Sequence, residues 1–457
     1  MNKHCNRIMI AGIGSGSGKT TLVCGILMAL KMRNLKAASC KCGPDYIDPM
    51  FHSRIFDIPS INLDLFFTSP QVMNYLLCRN GEDRDITVIE GVMGFYDGLS
   101  MESDRASSYE VAKMSKTPVI LTVCCKGMAY SVVPLIRGMI EFREDSNIKG
   151  IILNQVSDMT YHQLKPVIEQ ELGIPVLGHL PVLQEFVLES RHLGLVMPKE
   201  RDNLSQELER LGNLIENNIN IEEIIKIAAE APELFCENPL EHHKIAPKCP
   251  ETILGVAEDE AFCFYYRDNF KLLEELGCKL VKFSPLHDKK LPRQIQGILF
   301  GGGYPELHAQ QLSRNLSMKQ SIQNALKAGM PCMAECGGFQ YLQKSLWVEG
   351  VEYPMADVIP STSENTGKLV RFGYIHLKGS NVNPYLKAGE EIKAHEFHYF
   401  DSTDNGDTCL AVKPSGKRQW QCVYAGKNLF AGYPHLYFYS NIRFIQRFIK
   451  ACQEWKV

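Results

Sequence analysis

Short continuous apolar runs alternate along this chain with stretches whose apolar residues recur every three or four positions. Ile8–Ala11 is the first run, and Leu22, Ile26, Leu27 and Leu30 form the helical stripe that follows it. The same rhythm predicts strands at Ala37–Cys40, Asp85–Glu90, Val119–Val123, Gly150–Asn154 and Ile174–Gly178, separated by helical patterns such as Val132–Ile140. Strands apolar on both faces and separated by helices predict a parallel, doubly wound α/β sheet. The pattern changes after Glu200. Leu204, Leu208, Leu211, Leu214 and Ile215 mark one amphipathic helix and Ile221–Ala229 another, before Pro232, Pro239, Pro247 and Pro250 interrupt. A second α/β pattern starts at Ile253–Ala257. It continues through a helix carrying Phe270, Leu273 and Leu276, stopped by Gly277, to strands at Gly297–Phe300 and Met330–Ala334. The expected organisation is two doubly wound α/β domains, 1–215 and 250–457, joined by a linker over 216–249.

Composition narrows the function classes. The chain has 457 residues and a net charge of −3, so no broad basic surface is implied and nucleic acid is not an expected partner. No apolar run reaches membrane-spanning length. Sixteen cysteines show neither a disulfide framework nor zinc-ligand spacing, and Met1–His4 runs straight into a strand. Reduced thiols and a cytoplasmic location are expected.

The first strand leads into Gly12-Ile13-Gly14-Ser15-Gly16-Ser17-Gly18-Lys19-Thr20. Strand, glycine-rich turn and helix is the setting in which backbone N–H groups and a helix N-terminus cradle phosphate. Lys19 would reach the β/γ-phosphates of ATP, and Thr20 would sit on Mg²⁺. The glycine that opens the loop stands one position earlier than in a Walker A loop, a spacing that resembles dethiobiotin synthetase. Asp45 and Asp48, bracketed by Gly43-Pro44 and Pro49, are expected in a turn, either sharing Mg²⁺ with the phosphates or simply solvated. Glu90 ends a buried strand, where P-loop enzymes place a metal ligand or water-positioner. Asp97 lies in a following turn, either simply closing it or turning its acid to the substrate. Asn154, at another strand end, is either an adenine-reading amide or a helix cap. Arg191 and His192 are either contacts for an anionic substrate or a solvated helix face.

In the second half, Gly301-Gly302-Gly303 follows a strand and frees backbone N–H groups for an oxyanion. Met330–Gln340 brings a small apolar strand into Cys336-Gly337-Gly338 and then a helix. This is a nucleophile-elbow arrangement in which the helix N-terminus is expected to lower the thiol's pKa. The base candidates are His395, His398 and His435. In His395–His398, strand alternation puts His395 and Phe397 on one face and Glu396 and His398 on the other.

The second half resembles class I glutamine amidotransferases, whose domains are flavodoxin-like. The whole chain resembles the cobyrinic acid a,c-diamide synthase family. The markers are Gly-Ser-Gly-Lys-Thr, Lys41–Pro49, Glu90–Gly98, Arg191–Leu195, Gly301–Glu306, Glu335–Phe339, His395–Tyr399 and His435. The resemblance implies that Cys336 attacks the amide of L-glutamine, with His435 as base and Gly302, Gly303 and Gly337 as the oxyanion site. It further implies that ATP, held by Gly12, Gly14, Ser15, Gly16, Ser17, Gly18, Lys19, Thr20 and Asn154, phosphorylates the a and c carboxylates of cobyrinic acid in cobalamin biosynthesis. Thr20, Asp45, Asp48 and Glu90 would hold Mg²⁺, while Asp97, Arg191 and His192 would meet the tetrapyrrole. Ammonia would displace phosphate without entering bulk solvent. The glutamate that usually follows the base by two residues is absent here; Tyr437 stands there. Hydrogenobyrinic acid or nickel-sirohydrochlorin as substrate would use the same motifs. A partitioning-type ATPase switch with a degenerate glutaminase would carry a lysine where Gly14 stands and would not need Cys336.

Overall fold

A computed structural model describes residues 2–183, 200–242 and 251–455. The chain forms two compact units, Met1–Pro239 and Leu240–Val457.

The first unit is built on seven parallel strands: β1 (Arg7–Gly12), β2 (Ala37–Cys42), β3 (Ser60–Leu63), β4 (Ile86–Glu90), β5 (Val119–Cys124), β6 (Ile148–Asn154) and β7 (Val176–Leu180). Their order is β3-β2-β4-β1-β5-β6-β7, which puts β1 in the middle. Every β1 residue is buried, the consequence of helices covering both faces. Two helices leave the strand ends that matter below: α1 (Lys19–Met32) from β1 and α2 (Ile47–Ile55) from β2. Leu22, Val23, Ile26, Leu27 and Leu30 of α1 pack into the core. Opposite them lie Leu208, Leu211 and Ile215 of α3 (Glu200–Asn218). A Cβ on Gly25 would stand 2.5 Å from Ile215 Cγ1, so glycine lets the two helices close.

The segment expected as linker starts with core. In α4 (Ile221–Ala229), Ile221, Ile224, Ile227 and Ala228 are buried in the first unit. The chain beyond is tied to the foot of β1, where the buried Arg7 guanidinium donates to the Pro232 carbonyl at 2.7 Å. Its further bonds to Ser115 and Cys5 carbonyls satisfy a charge that burial would otherwise make costly. Cys78 and Cys236 pair as a disulfide, against the expectation of reduced thiols; the other described cysteines are in no disulfide. Among the described residues, no helix is long and apolar enough to cross a membrane.

The second unit carries a six-stranded sheet of β8 (Thr252–Ala257), β9 (Cys278–Phe283), β10 (Gly297–Phe300), β11 (Cys332–Glu335), β14 (Tyr424–Ala425) and β15 (Leu429–Gly432), ordered β9-β8-β10-β11-β15-β14. All pairs are parallel except β14–β15. Helices α5 (Arg267–Glu275), α6 (Gly337–Leu342) and α7 (Ile442–Glu454) accompany it. A second sheet contains β12 (Arg371–Gly379), β13 (Glu391–His398) and β16 (His435–Leu436), with β13 between the other two. In register, His395 of β13 faces His435 of β16, which brings the two histidines together from residues forty apart in sequence.

Candidate functional site

In the first unit the chain turns from β1 into α1 through residues 13–18. Gly16 and Gly18 have φ of +76° and +84°, a region L-residues avoid. A Cβ on Gly12 would stand 2.8 Å from Ser17 Cβ, and one on Gly18 would stand 2.1 Å from Asn154 Nδ2. Ser17 Oγ donates to the Gly14 carbonyl at 2.8 Å, while Ser15 and Gly16 are exposed at the loop tip. Lys19 Nζ folds over the loop and donates to the carbonyls of Gly14 (3.0 Å) and Met93 (2.6 Å). Burial and then the nearby Lys41 lower its pKa. Thr20 Oγ1 donates to Glu90 Oε1 at 2.6 Å.

The acids meet around a residue the sequence reading did not single out. Lys41, only 5% exposed, places Nζ 2.7 Å from Glu90 Oε1 and 2.5 Å from Asp48 Oδ2. Burial opposes its charge, but Glu90, Asp48 and Asp45 outweigh it and hold the ammonium protonated. Burial and Asp48 push Glu90 up to about 7; burial and Asp48 likewise push Asp45 up to about 6. At Asp48 itself burial is overridden by Lys41, and the carboxyl is held low. Asp48 lies in the first turn of α2, not in a free turn; Pro49 fits beside it because early helix positions need no N–H partner. Among the described residues no three acidic, cysteine or histidine side chains form a ready-made metal cage. The residues nevertheless fit Mg²⁺, which keeps waters and takes one or two carboxylates plus phosphate oxygens. Glu90 Oε2 is a buried oxygen with no protein partner, beside the Thr20 hydroxyl.

Two candidate ligand contacts are engaged in the protein's own structure here. Asn154 does not present a free amide to a base: Nδ2 donates to the Ser17 carbonyl at 2.9 Å and Oδ1 accepts the Gln155 N–H at 3.0 Å, so it braces the loop. Asp97 Oδ2 accepts the Gly94 N–H at 2.7 Å, closing its own turn. Arg191 and His192 lie outside the described residues.

In the second unit, β11 ends and α6 begins at Cys336, whose φ of +47° and ψ of −104° mark the strained strand-to-helix elbow the sequence leads one to expect. Its N–H donates to the Gly432 carbonyl at 2.8 Å. The glycines after it are there for space: a Cβ on Gly338 would meet Phe300 Cβ at 2.4 Å, and one on Gly337 would meet Pro305 Cδ at 2.9 Å and the Gly303 nitrogen at 3.2 Å. The same test places His435: a Cβ on Gly302 would fall 2.4 Å from its Cε1. Gly303 therefore lies against Gly337 of the elbow, and Gly302, next in the chain, lies against His435. The thiol's pKa is not lowered as expected. Burial, with Glu306, Glu396 and Glu335 adding, pushes it up, and the Gly337 N–H only partly offsets this. Such a thiol needs a base to give up its proton.

His435 is buried and its pKa is pushed down to about 3, by burial and then by His395 and His398. It is therefore a neutral imidazole, the form that can accept a proton. His398 stacks on Tyr433 at 3.9 Å and lies 3.3 Å from Glu396, as strand alternation predicts for that face. His395 and Phe397 share the other face, both edge-on to Phe372.

Comparison with known proteins agrees on both units. Residues 8–195 match the CobQ/CobB/MinD/ParA nucleotide-binding domain, and residues 253–442 match the CobB/CobQ-like glutamine amidotransferase domain. The chain is 39% identical to the cobyrinate a,c-diamide synthase of Caldanaerobacter subterraneus subsp. tengcongensis, across 99% of both chains. It is 36% identical to that of Priestia megaterium across 98% of both, and 38% identical to that of Listeria monocytogenes serotype 4b across 98% of this chain and all of the other. With the phosphate loop, the cysteine elbow and both domain matches lying along one such full-length alignment, the chain belongs to the cobyrinate a,c-diamide synthase family.

Proposed function

We propose that this enzyme amidates the a and c acetate side chains of cobyrinic acid, using ATP and nitrogen from glutamine. The observation that carries the reading is the Cys336 elbow, with Gly303 packed against Gly337 and the neutral His435 against Gly302, because a thiol at such an elbow needs an oxyanion site and a base for amide hydrolysis. His435 takes the thiol proton, the sulfur attacks the side-chain amide, and backbone N–H groups at Gly302, Gly303 and Gly337 face the developing oxyanion. The proton then returns to the leaving ammonia, and water releases glutamate from the thioester.

In the first unit the loop and Lys19 hold the triphosphate, and Thr20 and Glu90, with Asp45 and Asp48, are the groups that would hold Mg²⁺. Bound there, the ion would neutralise charge on the phosphates. Phosphoryl transfer to a substrate carboxylate turns a poor leaving group into a good one, and ammonia displaces it as phosphate. Each amide formed consumes one ATP and one glutamine. Asp97, Arg191 and His192 are the candidates for the tetrapyrrole side of the site.

The purified protein is expected to convert cobyrinic acid, ATP and glutamine into the diamide, ADP and glutamate, followed by chromatography of the macrocycle. Hydrogenobyrinic acid and nickel-sirohydrochlorin belong in the same assay. Absence of any amide product across the panel would overturn the reading. Gly302→Ala tests the second unit at the contact with His435. The added methyl must displace the His435 ring, so glutamine-driven synthesis is expected to fall on the order of 10²-fold, with ammonia-driven synthesis kept.

A further inference from the structure

A neutral imidazole carries its hydrogen on one nitrogen only, so a base histidine needs something to hold that N–H and turn the bare nitrogen to the thiol. The residue two positions after His435 does not do so. The Tyr437 hydroxyl lies 3.0 Å from Asp268 Oδ2 in α5, and its ring is edge-on to Tyr266. A different carboxyl reaches His435. Glu335 Oε2 is 3.8 Å from Nδ1, an ion-pair approach longer than a hydrogen bond, and Oε1 of the same group accepts the Leu436 N–H at 3.2 Å. Glu335 is thus hydrogen-bonded to one residue of β16 and within ion-pair distance of the other.

We propose that Glu335 is the positioning residue for His435, its carboxylate facing Nδ1–H so that Nε2 is left to accept the Cys336 proton. The assignment deepens the glutaminase reading and rests on it. Its geometry follows from the elbow. Strand alternation turns the side chains of successive residues to opposite faces, and the positive φ at Cys336 then swings the sulfur away from the strand direction. Two adjacent residues can therefore serve the histidine from different sides, one as nucleophile and one as orienting acid. The proton balance closes: the S–H bond breaks, an Nε2–H bond forms, and the new imidazolium stands against an ionised carboxylate.

The arrangement has a consequence for pH. Burial pushes Glu335 up to about 8, with the Leu436 N–H partly offsetting it, and Tyr265 packs nearby. Around His435 stand His395 and His398 from β13, and around the thiol stand Glu306 and Glu396. Orientation needs Glu335 ionised, and its pKa is raised, so the competent form is scarce below that value and fills as pH rises through it.

The test is the pH dependence of glutamine hydrolysis by the full-length enzyme, with Cys336→Ala and ammonia-driven synthesis as references. Glu335→Gln keeps the shape but not the charge. Its kcat for glutamine is expected to fall on the order of 10²-fold with little change in KM. The rise in rate through about pH 8 is expected to vanish. Glu335→Asp, which keeps the charge, is expected to regain part of the rate and the pH-dependent rise. Wild-type kcat and pH profile in Glu335→Gln would overturn the assignment, as would equal losses in both variants with the profile unmoved. If Cys336→Ala still consumes glutamine, the glutaminase reading falls and takes this one with it. If Cys336→Ala is inactive while Glu335→Gln behaves as wild type, only Glu335 is wrongly placed.

Discussion

Cys336→Ala is expected to lose glutamine-driven amidation by at least about 10³-fold while keeping ammonia-driven amidation within about twofold of wild type. The size follows from the chemistry: without sulfur no thioester forms, and neither His435 nor the glycine N–H groups can supply a nucleophile. The selectivity follows from the architecture. Cys336 belongs to the core of the second unit, and the phosphate loop, Lys41 and Glu90 belong to the first. The substitution leaves the backbone no new burden, because the positive φ at position 336 is already borne by a non-glycine residue. Losing one buried sulfur costs packing on the order of 1 kcal/mol. Measuring diamide formation with each nitrogen source separates the outcomes: loss of both would make Cys336 structural.

The features legible in the sequence are those written in consecutive residues. Gly12–Thr20 and Cys336–Gly338 each dictate a local backbone, and the structure shows the clashes that any Cβ at Gly12, Gly18 or Gly338 would cause. Strand positions were legible for a similar reason, since continuous burial leaves an uninterrupted apolar run. What escaped depends on residues distant in sequence. Lys41 reads as an isolated polar residue in Ala37–Cys42 until α2 and β4 bring Asp48 and Glu90 to it. Glu335 reads as a strand-end acid until β16 arrives. Asn154 sits where a base-reading amide could stand, but whether it faces a ligand or the loop depends on how closely β6 approaches Gly18. The thiol was misjudged because helix-terminus reasoning weighs one N–H group, whereas burial and three carboxylates set the balance. Residues 221–229 read as an amphipathic helix yet fall within the expected linker 216–249, and their isoleucine stripe, buried in the first unit, is the stronger signal.

Lys41→Met is expected to act in the opposite sense to Cys336→Ala, removing synthesis with either nitrogen source and destabilising the first unit. The ammonium lies between two buried carboxylates, and methionine matches its length without its charge. Breaking a buried ion pair on one side leaves charge uncompensated, a loss of about 3–5 kcal/mol. The sign of its pH dependence follows from the shifts. Glu90 is already raised to about 7 by burial and Asp48, and without Lys41 it must rise further while Asp48 loses the partner that holds it low against burial. A carboxyl whose folded pKa exceeds its unfolded one destabilises most above the folded value, and the penalty is relieved as pH falls through it. The deficit relative to wild type should therefore be largest near pH 8 and shrink towards pH 5.5, measured by denaturant unfolding at each pH. Glu90→Gln added to Lys41→Met removes the stranded charge and should recover much of the loss, a coupling that independent sites would not show. An equal deficit at both pH values, with no recovery in the double variant, would mean that Lys41 fills space and does not hold the acids together.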